Sequence, residues 1–108
     1  MLQKAVLLAP KSAFARKQFA EVLHLAAANK GTWDGKAVTH RQAVAQYEVA
    51  HNLRPQSSDI AYAMFFIYDI DLKDREHATQ AKRAFLKTLP PGYKLSKLVQ
   101  GRLARYPN

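Results

Sequence analysis

The chain has 108 residues, a length that fits one small domain, and its 48% of apolar residues are enough to build a core. Its formal net charge is +9, and it contains no cysteine, which excludes a disulfide framework, a zinc–thiolate site and a cysteine nucleophile. No apolar run approaches the roughly 20 residues of a membrane span, and residues 1–10 lack the apolar stretch of a signal peptide, so we expect no membrane span and favour the cytoplasm.

The spacing of apolar residues predicts helices along almost the whole chain. A short helix over residues 1–9 ends before Pro10, because proline cannot continue it. Ser12 is placed to cap a second helix over residues 13–28, which has few helix-breaking residues.

Residues 29–38 are predicted to form a loop without strands, in which Gly31 and Gly35 are turn residues. Trp33 lies between these two glycines. A large apolar ring rarely stays in solvent without a reason, so we expect Trp33 to fold back onto the helices.

Thr39 and Gln42 have the spacing of a capping box, which predicts the start of a third helix that ends before Pro55. The serines and the aspartate at residues 57–59 offer caps for a fourth helix over residues 60–70. This fourth helix is apolar nearly all round, so it is expected to be central.

The rest of the chain predicts two further helices and no alternating strand. Residues 71–74 form a turn, and residues 75–89 form an amphipathic helix that ends at the Pro-Pro-Gly run 90–92. A last amphipathic helix covers residues 93–106. The sequence therefore predicts an all-α fold of about six helices.

Three of these predicted helices are each followed by a proline. Pro10, Pro55 and Pro90 each follow an amphipathic helix, and the last two are 35 residues apart. The first spacing, 45 residues, is longer, and the surplus falls in the loop 29–38. Helix pairs that recur at a fixed period are typical of solenoids, in which each unit buries its apolar face against the next.

Small and aromatic residues recur within the pairs in a definite order. Residues 13–55 carry a small residue on the first helix and a small–aromatic–small–proline series on the second: Ala20, then Ala43, Tyr47, Ala50 and Pro55. In the next pair, Tyr68 and Ala78 occupy comparable positions. In these residues the chain resembles the tetratricopeptide repeat family, with degenerate repeats.

The resemblance implies a right-handed solenoid of antiparallel helix pairs in a single domain over residues 1–108. Its parts would be the end of one repeat, an expanded repeat, a further repeat and a C-terminal capping helix: residues 1–12, 13–57, 58–90 and 93–106. Some bacterial assembly scaffolds of the family carry a similar long loop between paired helices, so the resemblance also implies a bacterial protein.

The family's members are interaction scaffolds, so the resemblance implies that the chain binds a partner protein or peptide and is not an enzyme. An extended peptide or a helix would lie in a concave groove formed by the first helices of successive pairs. Aromatic anchors flanked by charges are typical of binding hot spots. The residues that the resemblance places in this groove are Lys17, Glu21, His24, Tyr62, Phe66 and Asp69.

The chain is expected to begin inside a repeat, since no helix precedes residues 1–9 to pair with it. This half-repeat would expose Val6 and Leu7 unless a partner or another subunit covers them. We therefore also expect either self-association through the N-terminal half-repeat or a place for this chain within a larger assembly protein.

An alternative function follows from the charge distribution. Residues 77–108 hold seven basic residues and no acidic one, whereas residues 59–76 hold five acidic residues and two basic ones. A basic helix interleaved with Tyr93 and Tyr106 could bind phosphates and stack on bases, which predicts a nucleic-acid-binding module, less favoured than a protein-binding one. The residues of this alternative basic surface are Lys94, Lys97, Arg102 and Arg105.

The sequence contains no catalytic or metal-binding motif, so we expect no catalytic residue, no metal and no cofactor. No pair of the four histidines has the i, i+4 spacing of a helical zinc site. Asp69, Asp71 and Asp74 resemble the start of a calcium loop, but the glycine and the final glutamate of such a loop are missing. Helix capping explains these aspartates better.

Overall fold

The structure, a computed structural model, describes residues 12–33 and 35–107. The chain divides into two compact units, residues 1–55 and 56–108, and each is described by itself. The described residues form five α-helices and one short two-stranded ladder. The helix predicted over residues 1–9 lies outside the described residues, and so does the half-repeat that was expected to self-associate. A single solenoid domain of six helices therefore stays a prediction.

The first unit consists of two helices, α1 (Ala13–Ala28) and α2 (His40–Leu53). Both begin where their caps predict. The Ser12 side chain accepts a hydrogen bond from the Ala15 amide at 3.1 Å. The capping box predicted before α2 is present, with the Thr39 amide donating to Gln42 Oε1 at 2.8 Å.

α1 and α2 pack against each other and run in opposite directions. Arg16, near the start of α1, donates to Gln46 at 2.9 Å, whereas the His24 ring, nearer its end, meets the ring of His40 at 5.7 Å. Small side chains allow this close approach. Among the described residues of this unit, the fully buried ones are all alanines: Ala20, Ala43 and Ala50.

The prediction of a loop without strands between α1 and α2 is wrong. Strand β1 (Thr32–Trp33) pairs with β2 (Lys36–Ala37) in an antiparallel hairpin. Gly35 has a φ of +75°, the left-handed conformation that glycine adopts without strain in a tight hairpin turn. The expected position of Trp33 is confirmed, because its ring lies 5.5 Å from that of Phe19 on α1.

The second unit contains α3 (Ser58–Phe66), a π-helical turn over Ile67–Asp71, α4 (Arg75–Lys87) and α5 (Lys97–Leu103). The helix predicted over residues 60–70 thus changes to π geometry halfway. In that turn the Leu72 amide donates to the Ile67 carbonyl at 2.9 Å. The capping role expected for the aspartates is confirmed at Asp74, which accepts from the His77 amide.

The last two predicted helices are shorter than expected. The helix predicted over 75–89 ends at Lys87, and the one predicted over 93–106 covers Lys97–Leu103 alone. The Tyr93 amide closes a turn on the Pro90 carbonyl at 3.1 Å. Ser96 then starts α5 by accepting from the Val99 amide at 3.3 Å, so residues 93–96 remain outside a helix.

α3 and α4 also form an antiparallel pair. The Tyr62 ring lies 5.3 Å from that of Phe85, while Tyr68, later in the chain, stacks at 5.0 Å on His77, which comes earlier. The core of this unit is built around Phe65 and Ile67.

The all-α class is confirmed, since the described residues are mostly helical and the hairpin is their one ladder. Among these residues, no helix combines the length and the apolar character that crossing a membrane requires.

Candidate functional site

In the first unit, charged and apolar side chains lie on one exposed face of α1. Lys17 Nζ and Glu21 Oε1 form an ion pair across one turn at 3.8 Å, and both side chains are partly exposed. Apolar residues stand on the same face: Phe14 is 57% exposed and Leu25 is 66% exposed. The α1 surface, as we name it, comprises Phe14, Lys17, Glu21, His24 and Leu25.

A cleft of about 500 Å³ opens on this surface. Its apolar side is formed by Val22, Leu25 and Ala28, and its polar side by Glu21 and His24, with one side chain of α2, Tyr47, completing the lining. The size is within the range of pockets that take a small molecule or a single large side chain. The arrangement combines an apolar floor with charge at the rim.

Tyr47 is the buried wall of this cleft. Burial of its ring, and secondarily the charge of Glu21, raise the pKa of Tyr47 from 10.0 to about 12. The phenol therefore stays neutral across the physiological range and acts there as an aromatic surface with a hydroxyl group.

In the second unit, the three predicted groove residues lie together, but the C-terminal segment (residues 96–107) covers them. Arg102 Nη1 donates to the Tyr62 hydroxyl at 3.0 Å. The same guanidinium lies over the ring of Phe66, 5.0 Å from its centroid, in a cation–π contact.

The third groove residue, Asp69, is buried and receives two donors from the same segment. Its carboxylate accepts hydrogen bonds from the Arg105 guanidinium and from the Tyr106 hydroxyl. Burial raises the pKa of Tyr106, and the hydrogen bond to Asp69 and the charge of its carboxylate add to the effect, which Arg105 and Arg75 oppose. Asp69 lies in the π turn, a distortion that is frequent at functional sites.

Two basic side chains of α4 hold the backbone of the C-terminal segment. The buried Lys82 donates from Nζ to the carbonyls of Leu103 and Tyr106, both at 2.7 Å. Arg75 donates to the Arg105 carbonyl at 3.1 Å and lies over the Tyr106 ring, 4.9 Å from its centroid. The surface that receives the segment, which we name the seat, consists of Tyr62, Phe66, Asp69, Arg75 and Lys82.

The sequence analysis placed Tyr62, Phe66 and Asp69 in a groove. It placed Arg102 and Arg105 in a separate basic surface, and the structure brings the two sets into contact. Arg102 and Arg105 of the basic surface bind the groove residues of α3 and its π turn. Lys94 and Lys97 are exposed and take no part in these contacts.

Sequence reasoning missed Arg75 and Lys82 as functional residues. The signal for Lys82 was present, since it interrupts the apolar stripe of Ala78, Ala81 and Phe85 on an otherwise amphipathic helix. A lysine at such a position is buried when a set of carbonyls is available to its ammonium group.

Comparison with known proteins gives no match to any protein-family model, any curated protein or any solved structure.

Proposed function

We propose that this chain is a protein-interaction module that binds a segment of a partner protein on the α1 surface. The observation that carries the proposal is the exposure of Phe14 and Leu25 on one face of α1, next to the cleft that Leu25 lines. Leu25 continues into an apolar cleft and is bordered by charge, which is typical of interaction sites. Phe14 lies on the same face eleven residues away, about 16 Å along the helix. Binding, rather than catalysis, is the proposed activity, and it needs no cofactor.

The organisation of the helices supports this proposal. Each unit contains an antiparallel helix pair, which is the building block of tetratricopeptide repeats. We propose that the chain is a right-handed solenoid of this kind and that α1, as the first helix of its pair, lines the concave side. A module of this type serves as one segment of a larger assembly scaffold.

The chemistry of the α1 surface defines the partner. The cleft has room for apolar side chains of a partner, which would cover Leu25 and contact Tyr47. The ion pair between Lys17 and Glu21 is long and partly exposed, so it contributes little to stability and can exchange for contacts with a partner. The proposed ligand is therefore a peptide or helix with an apolar anchor and polar flanks.

The nucleic-acid alternative draws less support. Arg102 and Arg105, two of its four cations, bind groups within their own unit, although half of the Arg105 side chain stays exposed; Lys94 and Lys97 are exposed as well. Titration of random single-stranded RNA with increasing salt tests this alternative, since the slope of log K against log salt reports the number of phosphates contacted.

A photo-crosslinking residue in place of Leu25 identifies the partner in the cells that make this protein, and the same residue in place of Arg41, exposed on α2, serves as control. With the partner purified, Leu25→Asp is expected to weaken binding about tenfold or more. Arg41→Asp is expected to leave the affinity unchanged. Equal affinities of the two variants, both with helical circular-dichroism spectra, would overturn the proposal.

A further inference from the structure

The contact between the C-terminal segment and the seat combines buried side chains with polar contacts of the kind that a ligand makes in its binding site. Within α5, Leu103 alone is buried, whereas Leu98 is 65% exposed. Arg102, Arg105 and Tyr106 make hydrogen bonds and cation–π contacts with the seat. The buried Tyr106 ring also packs edge-on against Phe65, with 5.6 Å between the ring centroids. Interfaces between parts that can separate are more polar than protein cores.

The polar groups of the seat and those of the C-terminal segment are chemically complementary. Asp69 is a buried carboxylate that needs a cation and a hydroxyl donor, and Arg105 and Tyr106 supply them. Lys82 is a buried ammonium group that needs acceptors, and the carbonyls at the end of α5 supply those. Asp69 and Lys82 are buried with the segment in place, and both keep hydrogen-bond partners there, so an occupant that replaces the segment must supply the same donors and acceptors.

The segment itself has little structure of its own. α5 has seven residues, and an isolated helix of this length is not stable in water. It is joined to α4 through exposed residues 90–92, of which Gly92 has a φ of +77°. The segment is therefore helical because it contacts the seat, and an exposed turn joins it to the rest of the unit.

We propose that the seat is a recognition site for an Arg-x-x-Arg-Tyr segment of a partner protein, and that the chain's own residues 102–106 occupy it as an intramolecular competitor. The inference rests on the proposed function as an interaction module and adds a second site with its own regulation. A partner segment must outcompete a tethered one, whose effective concentration is on the order of millimolar, so binding at the seat is weak until the C-terminal segment is released.

A fluorescent synthetic peptide copying residues 96–107 is the probe, and the full chain is the receptor. The wild-type chain is expected to bind it weakly. The Arg105→Ala chain keeps the seat intact but loosens its own occupant, so it is expected to bind the peptide at least about tenfold more tightly. Adding Asp69→Asn to Arg105→Ala replaces the carboxylate that accepts from the peptide's arginine with a neutral amide and is expected to abolish that gain.

Two full-chain controls distinguish binding at the seat from an effect of net charge and from binding at the α1 surface. Lys97→Ala removes an exposed cation of the same helix and is expected to bind the peptide as weakly as the wild type does. Leu25→Asp, which disables the α1 surface, is expected to leave peptide binding unchanged. A failure of the proposed function at α1 therefore does not affect this test.

The inference is wrong if Arg105→Ala binds the peptide no better than the wild type does, or if Asp69→Asn leaves the gain intact. Should Arg105→Ala not fold, hydrogen exchange on the wild-type chain provides the test. Peptide added at about ten millimolar is expected to remove protection from the amides of residues 99–106, because it displaces the tethered segment. Unchanged protection under those conditions would equally overturn the inference.

Discussion

Among the described residues, the buried charged side chains are Asp69 and Lys82, and each is held by partners distant in the sequence. Asp69 is bound by two residues of the C-terminal segment, and Lys82 binds two carbonyls of that same segment. A buried charge is tolerated only when hydrogen bonds replace its lost hydration. These two side chains therefore hold the last residues of the second unit against the rest of that unit.

Tyr47 gives a pH dependence that can be measured in the first unit. Its pKa is raised from 10.0 to about 12, so the folded state disfavours the phenolate. The free energy of unfolding is unaffected by this group below pH 10 and falls as pH rises from 10 towards 12, because the unfolded chain loses the proton first. The loss at pH 11.5 is about 2 kcal/mol.

Urea denaturation at pH 9 and pH 11.5 checks this prediction. Tyr47→Phe is expected to lose about 2 kcal/mol less than the wild type does between the two pH values. Tyr93→Phe, which changes an exposed ring, is the matched control and is expected to keep the full loss. Identical pH profiles for Tyr47→Phe and the wild type would contradict the assignment.

At the scale of the helices, the caps decide where each element begins, and the small residues decide how closely two elements approach. Ser12 and the Thr39–Gln42 box start α1 and α2 as predicted, because capping needs only residues within one turn. Ala20 is fully buried on α1, where the resemblance to tetratricopeptide repeats expects a small residue at a close crossing.

Replacing Ala20 by leucine should therefore overpack the contact between α1 and α2. The expected loss of stability is about 1–3 kcal/mol, because three added carbon atoms must displace neighbours in a packed interior. Chemical denaturation of Ala20→Leu measures it. Ala45→Leu adds the same atoms at an exposed position of α2 and is expected to change stability by less than about 0.5 kcal/mol. An unchanged midpoint for Ala20→Leu would contradict the close crossing.

At the scale of the whole molecule, the net charge of +9 is not all available to a partner. Of the seven basic residues after residue 77, three bind groups within the second unit: Lys82, Arg102 and Arg105. Lys94 and Lys97 are exposed instead. Cations of the same tail thus have different roles, some in internal contacts and others at the surface.

Two double variants with the same change in net charge distinguish these roles. Arg102→Ala with Arg105→Ala removes the donor to Tyr62 and the charged donor to Asp69, and it is expected to lower the melting temperature by about 5 °C or more. Lys94→Ala with Lys97→Ala is expected to shift it by no more than about 2 °C, since exposed substitutions cost little. Thermal unfolding followed by circular dichroism compares them, and equal shifts would show that net charge alone matters.

The sequence by itself determined the helical class, the starts of α1, α2 and α4 and the turn positions, because these depend on side chains within a few residues of one another. It also indicated that Trp33 would contact the helices. The tertiary structure alone decided the π turn and the contacts between the groove residues and the basic tail. Asp69 meets its partners 36 and 37 residues away, and Lys82 meets its acceptors 21 and 24 residues away. Local patterns carry no information on contacts at such separations, since only chain folding brings those groups together.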